Sequence, residues 1–286
     1  MARRALTLPL VRMVVEIGVF VVLAVGYAMA LRGSHVPDLV NLWANLGLAV
    51  GTVVLVERAI GKRPSEVGFD PRHAVVDGLV GVAVGAAMFG TVILVLFLAS
   101  SYRIVAVAPS LLGSIALAVL AAAAIEEILM RGIVFRLLSQ WAGTWIALAL
   151  SAALFGALHL HNPGATWLAA AAIALEAGVL LAAAYVVTGN LWLPIGLHFA
   201  WNYLEGPIFG TQVSGGMIEE SLFRAHISGP EALTGGRFGP EAGIVALIVG
   251  IAAAAAFLIY AHRRGLIVPC PWWRGTRAPS AETPSP

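Results

Sequence analysis

Long apolar stretches, separated by short polar segments, run through almost the whole chain. A transmembrane helix needs about 20 consecutive, mostly apolar residues. Gly, Pro and charged residues, which favour the ends of helices, fill the gaps between the stretches. The pattern predicts an all-α, polytopic transmembrane bundle of about eight helices, placed at 9–31, 38–60, 75–98, 110–140, 144–161, 165–188, 190–205 and 241–261.

The composition supports a membrane protein with one domain. Of the 286 residues, 60% are hydrophobic and 11% are charged, whereas soluble domains carry about 25% charged residues. We expect the membrane bundle to occupy 1–268 and a Pro-rich, disordered tail to occupy 269–286. The single cysteine, Cys270, excludes internal disulfide bonds.

The distribution of basic residues predicts an orientation and excludes one class of partner. Most of the 17 Lys and Arg residues fall on the same side of the predicted bundle as both termini. Because cytoplasmic loops are enriched in Lys and Arg, we expect both termini in the cytoplasm. The basic residues are dispersed over loops without interleaved aromatic residues, so nucleic acid is not an expected partner.

The first polar motif inside an apolar stretch is Glu126-Glu127, with Arg131 one turn later. A charged side chain inside a membrane span costs about 2.5–3.5 kcal/mol, so such residues mark functional positions. Glu127 and Arg131 are four residues apart, lie on one helix face and can form an ion pair. Glu126 points away from that face and has no local cation, which suits a general base. The alternative is a helix that leaves the membrane at Glu126 and carries a surface ion pair.

The second motif places His159 one turn after Phe155 in the next apolar stretch. A lone His in an apolar helix is more often a packing residue, but its depth favours a function. If the chain turns at 141–143, Glu126 precedes Ala142 by 16 residues and His159 follows it by 17. At ~1.5 Å per residue, adjacent antiparallel helices bring the two side chains to nearly the same depth. A carboxylate and an imidazole at one level can activate a water molecule together.

The third motif is His198 with Asn202, again four residues apart and on one helix face. This arrangement suits the binding of one ligand atom or one oxyanion, and the alternative is a hydrogen-bonding pair between helices. Four further acidic residues lie in or near spans without an obvious partner, and we expect structural or interfacial roles for them: Glu16, Asp77, Glu176 and Glu205. Glu176 is the deepest of the four, and the alternative for it is a place in the wall of the cavity.

Glu-Glu-x-x-x-Arg, Phe-x-x-x-His and His-x-x-x-Asn, in that order on three apolar helices, resemble the CPBP family of intramembrane proteases. This family includes the CAAX prenyl endopeptidases and the bacterial Abi proteins. The resemblance covers about 110–215, and 189–215 looks particularly like the bacterial members. It implies an integral protein of a bacterial plasma membrane that cleaves peptide or membrane-protein substrates, of which prenylated CAAX ends are one possibility.

The resemblance also implies a role for each matched residue. Glu126 and His159 would activate a water molecule for peptide hydrolysis. His198 and Asn202 would stabilise the oxyanion that forms when the water attacks, as preorganised donors commonly do.

Two supporting residues and a possible metal complete the implied site. Glu127 and Arg131 would support its geometry. If the protein binds a divalent metal such as zinc, Glu126, His159 and His198 would hold it and leave an open fourth position. The residues themselves leave a metal-dependent and a metal-free mechanism equally open. The chain contains no His-Glu-x-x-His motif, which excludes a zincin-type site.

Two other functions remain open at this point. Buried Glu and His residues also mark ion pathways, so a proton- or ion-coupled transporter is an alternative. That reading predicts inverted repeats and paired broken helices, and the sequence shows neither. A non-catalytic immunity or scaffold protein of the membrane that keeps the bundle is the second alternative.

Overall fold

A computed structural model of the chain describes residues 6–32, 34–108, 112–218 and 220–272. Within these ranges, seven helical segments are long and apolar enough to cross a membrane. They are Pro9–Ala30, Asp38–Ala59, Pro71–Leu98, Leu112–Ala142, Thr144–His161, Trp167–Thr188 and Ile244–Arg263. The predicted polytopic helical bundle is confirmed, and the chain is an integral membrane protein.

Several of the long segments contain π-helical turns, so the regular elements are numbered in smaller pieces. The helices are α1 (Pro9–Ala30), α2 (Asp38–Ala59), α3 (Ala74–Leu98), α4 (Leu112–Glu127), α5 (Arg136–Ala142), α6 (Thr144–Leu158), α7 (Trp167–Ile173), α8 (Val179–Thr188), α9 (Trp192–Tyr203), α10 (Glu231–Thr234) and α11 (Ile244–Arg263). The π-helical segments are Ile128–Phe135, Ala174–Gly178 and Leu204–Ile208, and the two strands are β1 (Tyr102–Val107) and β2 (Phe223–Ile227).

The stretch predicted as a span over 190–205 forms a shorter helix. α9 has 12 residues, which at ~1.5 Å per residue is too short to cross a bilayer. It passes into the π-helical segment Leu204–Ile208, where Pro207 cannot continue an α-helix. Most side chains of α9 are buried among the other helices, so this helix is held inside the protein and not against lipid.

Glycines allow α9 to pack directly on the backbone of α3. A Cβ atom at Gly81 would overlap the carbonyl oxygen of Leu193, and one at Gly85 would overlap that of Leu197. Small residues at a helix crossing let two membrane helices approach closely and gain van der Waals contact. This crossing fixes the position of the next residue on α9, which is His198.

We expect Gly85→Ala to lower the thermal stability of the purified protein. The added methyl group has no space at the crossing, and overpacking of this kind typically costs about 1–3 kcal/mol. The midpoint of thermal unfolding in detergent measures the effect. Gly78→Ala is the matched control on the same helix, because a Cβ atom there meets nothing within 4 Å. Equal midpoints for the two variants would contradict the packing described.

A buried ion network joins α1, α2 and α5. Arg136 Nη1 lies 2.6 Å from Glu57 Oε1, and Arg136 Nη2 lies 3.4 Å from Glu16 Oε2. Arg12 Nε lies 3.3 Å from the same Glu57 oxygen. The sequence suggested no obvious partner for Glu16, but the structure gives it two: Arg12, one turn earlier on α1 at 3.9 Å, and Arg136, 120 residues away along the chain.

The connecting segment 206–243 is tied to the bundle by a two-stranded sheet. β1 and β2 pair antiparallel, with Tyr102 opposite Ile227 and Val107 opposite Phe223. The Tyr102 hydroxyl also donates a hydrogen bond of 2.9 Å to the carbonyl oxygen of Phe209. The segment is therefore anchored against the helices and is not a freely solvated loop.

The predicted tail over 269–286 lies mostly outside the described residues, which end at 272. The described part packs on the turn between α5 and α6, where Trp272 meets Trp141 edge to face at 5.0 Å between ring centroids. That turn falls at Gly143, whose φ of 85° favours glycine. The predicted turn at 141–143 is therefore confirmed.

Candidate active site

A buried ion pair forms the centre of the site. Arg131 Nη1 lies 2.8 Å from Glu127 Oε1, as the spacing predicted, and both side chains are almost completely buried. The second terminal nitrogen of Arg131 donates to the carbonyl oxygens of Ala177 and Gly178, at 3.1 and 3.2 Å. The guanidinium also stacks 4.6 Å from the centroid of the Phe155 ring. Arg131 thus joins the helical segment Leu112–Ala142 to the segment Trp167–Thr188 and to α6.

The same carboxylate orients His198. Glu127 Oε1 lies 2.9 Å from His198 Nδ1, although the two residues are 71 positions apart. Because an ionised carboxylate can only accept hydrogen bonds, Nδ1 carries the proton and donates. This bond turns the other ring nitrogen, Nε2, towards Glu126, whose Oε2 lies 4.0 Å away. His198 can therefore donate a hydrogen bond from Nε2 only when the ring is the doubly protonated imidazolium.

Glu126 borders a cavity between α6 and the helical segment Leu112–Ala142, which carries Glu126, Glu127 and Arg131. Its side chain is 44% exposed, in contrast to the completely buried Glu127. The cavity has a volume of about 290 Å³. Three polar side chains line it: Glu126, His159 and Asn162. The rest of its lining is apolar: Leu129, Met130, Phe155 and Leu158. Glu126 and His159 thus face the same space, as their predicted depths required.

His159 presents one free ring nitrogen to this space. Its Nδ1 lies 2.8 Å from the carbonyl oxygen of Phe155, and a carbonyl oxygen can only accept, so Nδ1 is the donor in this bond. In the neutral ring Nε2 is then unprotonated and can accept a proton or a hydrogen bond. The Phe155 ring supports this orientation at 4.6 Å between ring centroids.

A second, smaller cavity adjoins the first. It has a volume of about 20 Å³, enough for one water molecule. His159, His198 and Asn202 all line it, and Phe155 and His159 line both cavities. The four side chains predicted as catalytic, which come from three different helices, therefore border two adjoining spaces.

Two buried acids that the sequence did not assign to the site also line the small cavity. Glu176 lies in the π-helical segment Ala174–Gly178 and Glu241 lies just before α11, and both are buried. Burial raises the pKa of the Glu241 carboxyl group above its ordinary value. Glu176 was predicted to have a structural or interfacial role, and Glu241 carries no local signal beyond its position before an apolar stretch. π-Helical turns within α-helices occur frequently at functional sites. The π-helical turn that contains Glu176 is therefore a structural indication of function that the sequence does not show.

The proposed metal ligands can be tested against this geometry. Within the described residues, no three His, Cys, Asp or Glu side chains are grouped closely enough to hold a metal ion. Glu126, His159 and His198 are therefore near one another without forming a ligand set in this arrangement.

One family model matches the chain. It is described as "Type II CAAX prenyl endopeptidase Rce1-like" and covers residues 106–204. The matched range contains all three motifs, so the resemblance stated from the motifs is confirmed. No curated protein and no solved structure gives a significant match to the chain.

Proposed function

We propose that this chain, whose residues 106–204 belong to the CPBP/CAAX family of intramembrane proteases, hydrolyses a peptide bond with a water activated by Glu126 and His159. The family supports a CAAX-type intramembrane endopeptidase. The observation that carries the finer proposal is the shared cavity of Glu126 and His159 inside an apolar bundle. An acid and an imidazole at the wall of one space can act on the same water.

The chemistry of the first step follows from the two free atoms that face the cavity. The Glu126 carboxylate takes one proton from the water. His159 Nε2 orients the water by accepting a hydrogen bond from its other hydrogen. The hydroxide attacks the carbonyl carbon of the substrate. Glu126 then returns the proton to the leaving nitrogen, so that the protons balance.

His198 and Asn202 stabilise the oxygen that becomes negative during the attack. Both line the small cavity beside His159, and hydrogen-bond donors placed before the reaction stabilise charge as it develops. His198 serves as such a donor in its imidazolium form, which Glu127 and Glu126 favour because both carboxylates lie beside the ring. Glu127 and Arg131 act indirectly, by fixing the ring of His198.

The first test is cleavage by the wild-type protein with and without a metal chelator. We expect the protein, reconstituted in lipid vesicles, to release the terminal tripeptide from a farnesylated CAAX peptide. A second assay maps new peptide ends in the membranes of cells that express the protein. It detects substrates that are not prenylated. Glu126, His159 and His198 are not grouped closely enough to hold a metal ion. We therefore expect activity to persist in EDTA and in 1,10-phenanthroline.

Each arm of this test has a contrary result. Loss of activity in chelator, with recovery on adding Zn²⁺, would replace the metal-free mechanism with a metal-dependent one. If neither assay detects a cleaved peptide, the proposal that the protein is an endopeptidase is rejected.

A further inference from the structure

Two buried acids that the proposed mechanism does not use, Glu176 and Glu241, line the small cavity, and a third, Glu205, lies beside Glu241. Glu176 is 2%, Glu205 0% and Glu241 3% exposed. They come from the π-helical segment before α8, the π-helical segment after α9 and the short turn before α11. Three separate parts of the chain therefore converge on one acidic region beneath the catalytic side chains.

These acids lack partners that would compensate a charge. Among the described residues, Glu176 has no hydrogen-bonding partner and no cation beside it, and Glu241 is the charged neighbour it faces. The carboxyl groups of Glu205 and Glu241 face each other, and Ser214 lies beside Glu241. Within the described ranges, both oxygens of Glu205 and one oxygen of Glu241 still make no hydrogen bond of normal geometry. Only the His159 ring offers Glu241 an opposite charge. Buried polar groups without partners are costly, so an arrangement like this one points to a missing ligand.

Apart from these acids, Ser214 and the three side chains of the candidate site, the wall of the cavity is apolar. Leu180, Leu181, Leu197 and Trp201 are among the apolar side chains that line it. The inner volume of about 20 Å³ admits one group of the size of a water molecule, and the space widens to about 360 Å³ when the open mouth is included. His159, His198 and Asn202 line the same cavity, and His159 also borders the larger cavity beside Glu126. A ligand that enters here has a small polar head and an apolar stem.

We propose that this cavity binds the primary ammonium group of a substrate lysine close to the cleaved bond. The proposal rests on the proposed function, because the substrate reaches the cavity past the catalytic side chains. An ammonium head is about the size of a water molecule, and it carries the positive charge that would compensate Glu176 and Glu241. Its four-carbon stem packs against the leucines, as lysine stems commonly do on apolar surfaces. The planar guanidinium of arginine is too large for the inner space.

The test uses n-butylammonium chloride, which reproduces the lysine side chain, and the purified full-length protein. We expect it to raise the midpoint of thermal unfolding by roughly 3 °C at concentrations well above its dissociation constant. n-Pentanol, which has a similar shape and no charge, and NaCl at the same concentration are expected to give no comparable shift. These three measurements need no variant.

Variants then locate the binding site. The shift is expected to disappear in Glu176→Gln/Glu241→Gln and to persist in Glu231→Gln, an exposed acid of the connecting segment. It is also expected to persist in Glu126→Gln, so binding is measured independently of catalysis. An equal shift with pentanol or NaCl, no shift at all, or a shift that survives the double substitution would overturn the proposal.

A cleavage experiment connects the cavity to the substrate. Peptides that carry lysine near the cleaved bond are expected to exceed their norleucine counterparts in kcat/KM at least tenfold, and the double substitution is expected to abolish that preference. Equal rates for the two peptides in the wild-type protein would contradict a lysine-binding role. If no peptide is cleaved but n-butylammonium still binds, the hydrolase proposal fails and the ammonium site stands.

Discussion

Replacing Glu126 with Gln is expected to abolish peptide cleavage without reducing the amount of folded protein in the membrane. Gln has the shape of Glu but cannot take a proton from water, and general-base catalysis contributes about 10²–10⁴-fold to a rate. The side chain is 44% exposed and borders a cavity, so the change leaves no buried group unpaired. Cleavage of the farnesylated CAAX peptide and gel filtration of the purified variant measure the two effects. His159→Gln is expected to lose activity to a similar extent.

Glu66→Gln provides the control, because Glu66 is an exposed acid in the turn between α2 and α3. It is expected to keep wild-type activity. Full activity of Glu126→Gln would reject the proposed mechanism. A variant that loses cleavage but rescues the cellular role of the protein would favour the non-catalytic reading. Ion flux in vesicles that Glu126→Gln removes would revive the transporter.

The sequence predicts the transmembrane helices well because a single physical requirement sets their length. Any stretch such as 38–60 must hide its backbone polar groups from lipid, and an apolar helix is the available solution. The same reasoning fails for 190–205. That stretch is apolar because other helices surround it, and burial in protein and burial in lipid require the same residue types. Only the packing of Gly81 and Gly85 against α9 separates the two cases.

Local spacing also predicts part of the site. Glu127 and Arg131 are one turn apart, so their ion pair follows from helix geometry. The depth of Glu126 and His159 follows from the position of the turn between α5 and α6. In contrast, the bond between Glu127 and His198 spans 71 residues and depends on how α9 packs. Nothing in the local sequence specifies it.

The acidic region beneath the site illustrates the same limit. Glu176 and Glu205 stand out as acids in apolar surroundings, but Glu241 follows a turn of Gly and Pro and looks like a loop residue. It becomes a wall of the small cavity because the connecting segment folds back over the bundle. Long-range packing thus adds an acid whose local sequence predicts exposure.

Stability and chemistry meet at Glu127, which is shared by Arg131 and His198 at 2.8 and 2.9 Å. Removing Arg131 takes the permanent positive charge away from a carboxylate in a dry interior and leaves it with the His198 ring. Removing the arginine also frees the carbonyl oxygens of Ala177 and Gly178 from their donor. The ion pair is therefore expected to stabilise the bundle and to fix the orientation of the His198 ring.

Arg131→Met is accordingly expected to lower the free energy of unfolding by about 3–5 kcal/mol, the typical cost of breaking a buried pair by removing one partner. Denaturant unfolding of the purified protein in detergent measures it. Glu127→Gln/Arg131→Met is expected to recover part of the loss, because no uncompensated charge is left. Arg72→Met is the control, since this arginine also pairs with an acid, Asp70, but its own side chain is 80% exposed. If Arg131→Met unfolds no more easily than Arg72→Met, the buried pair does not hold the site together.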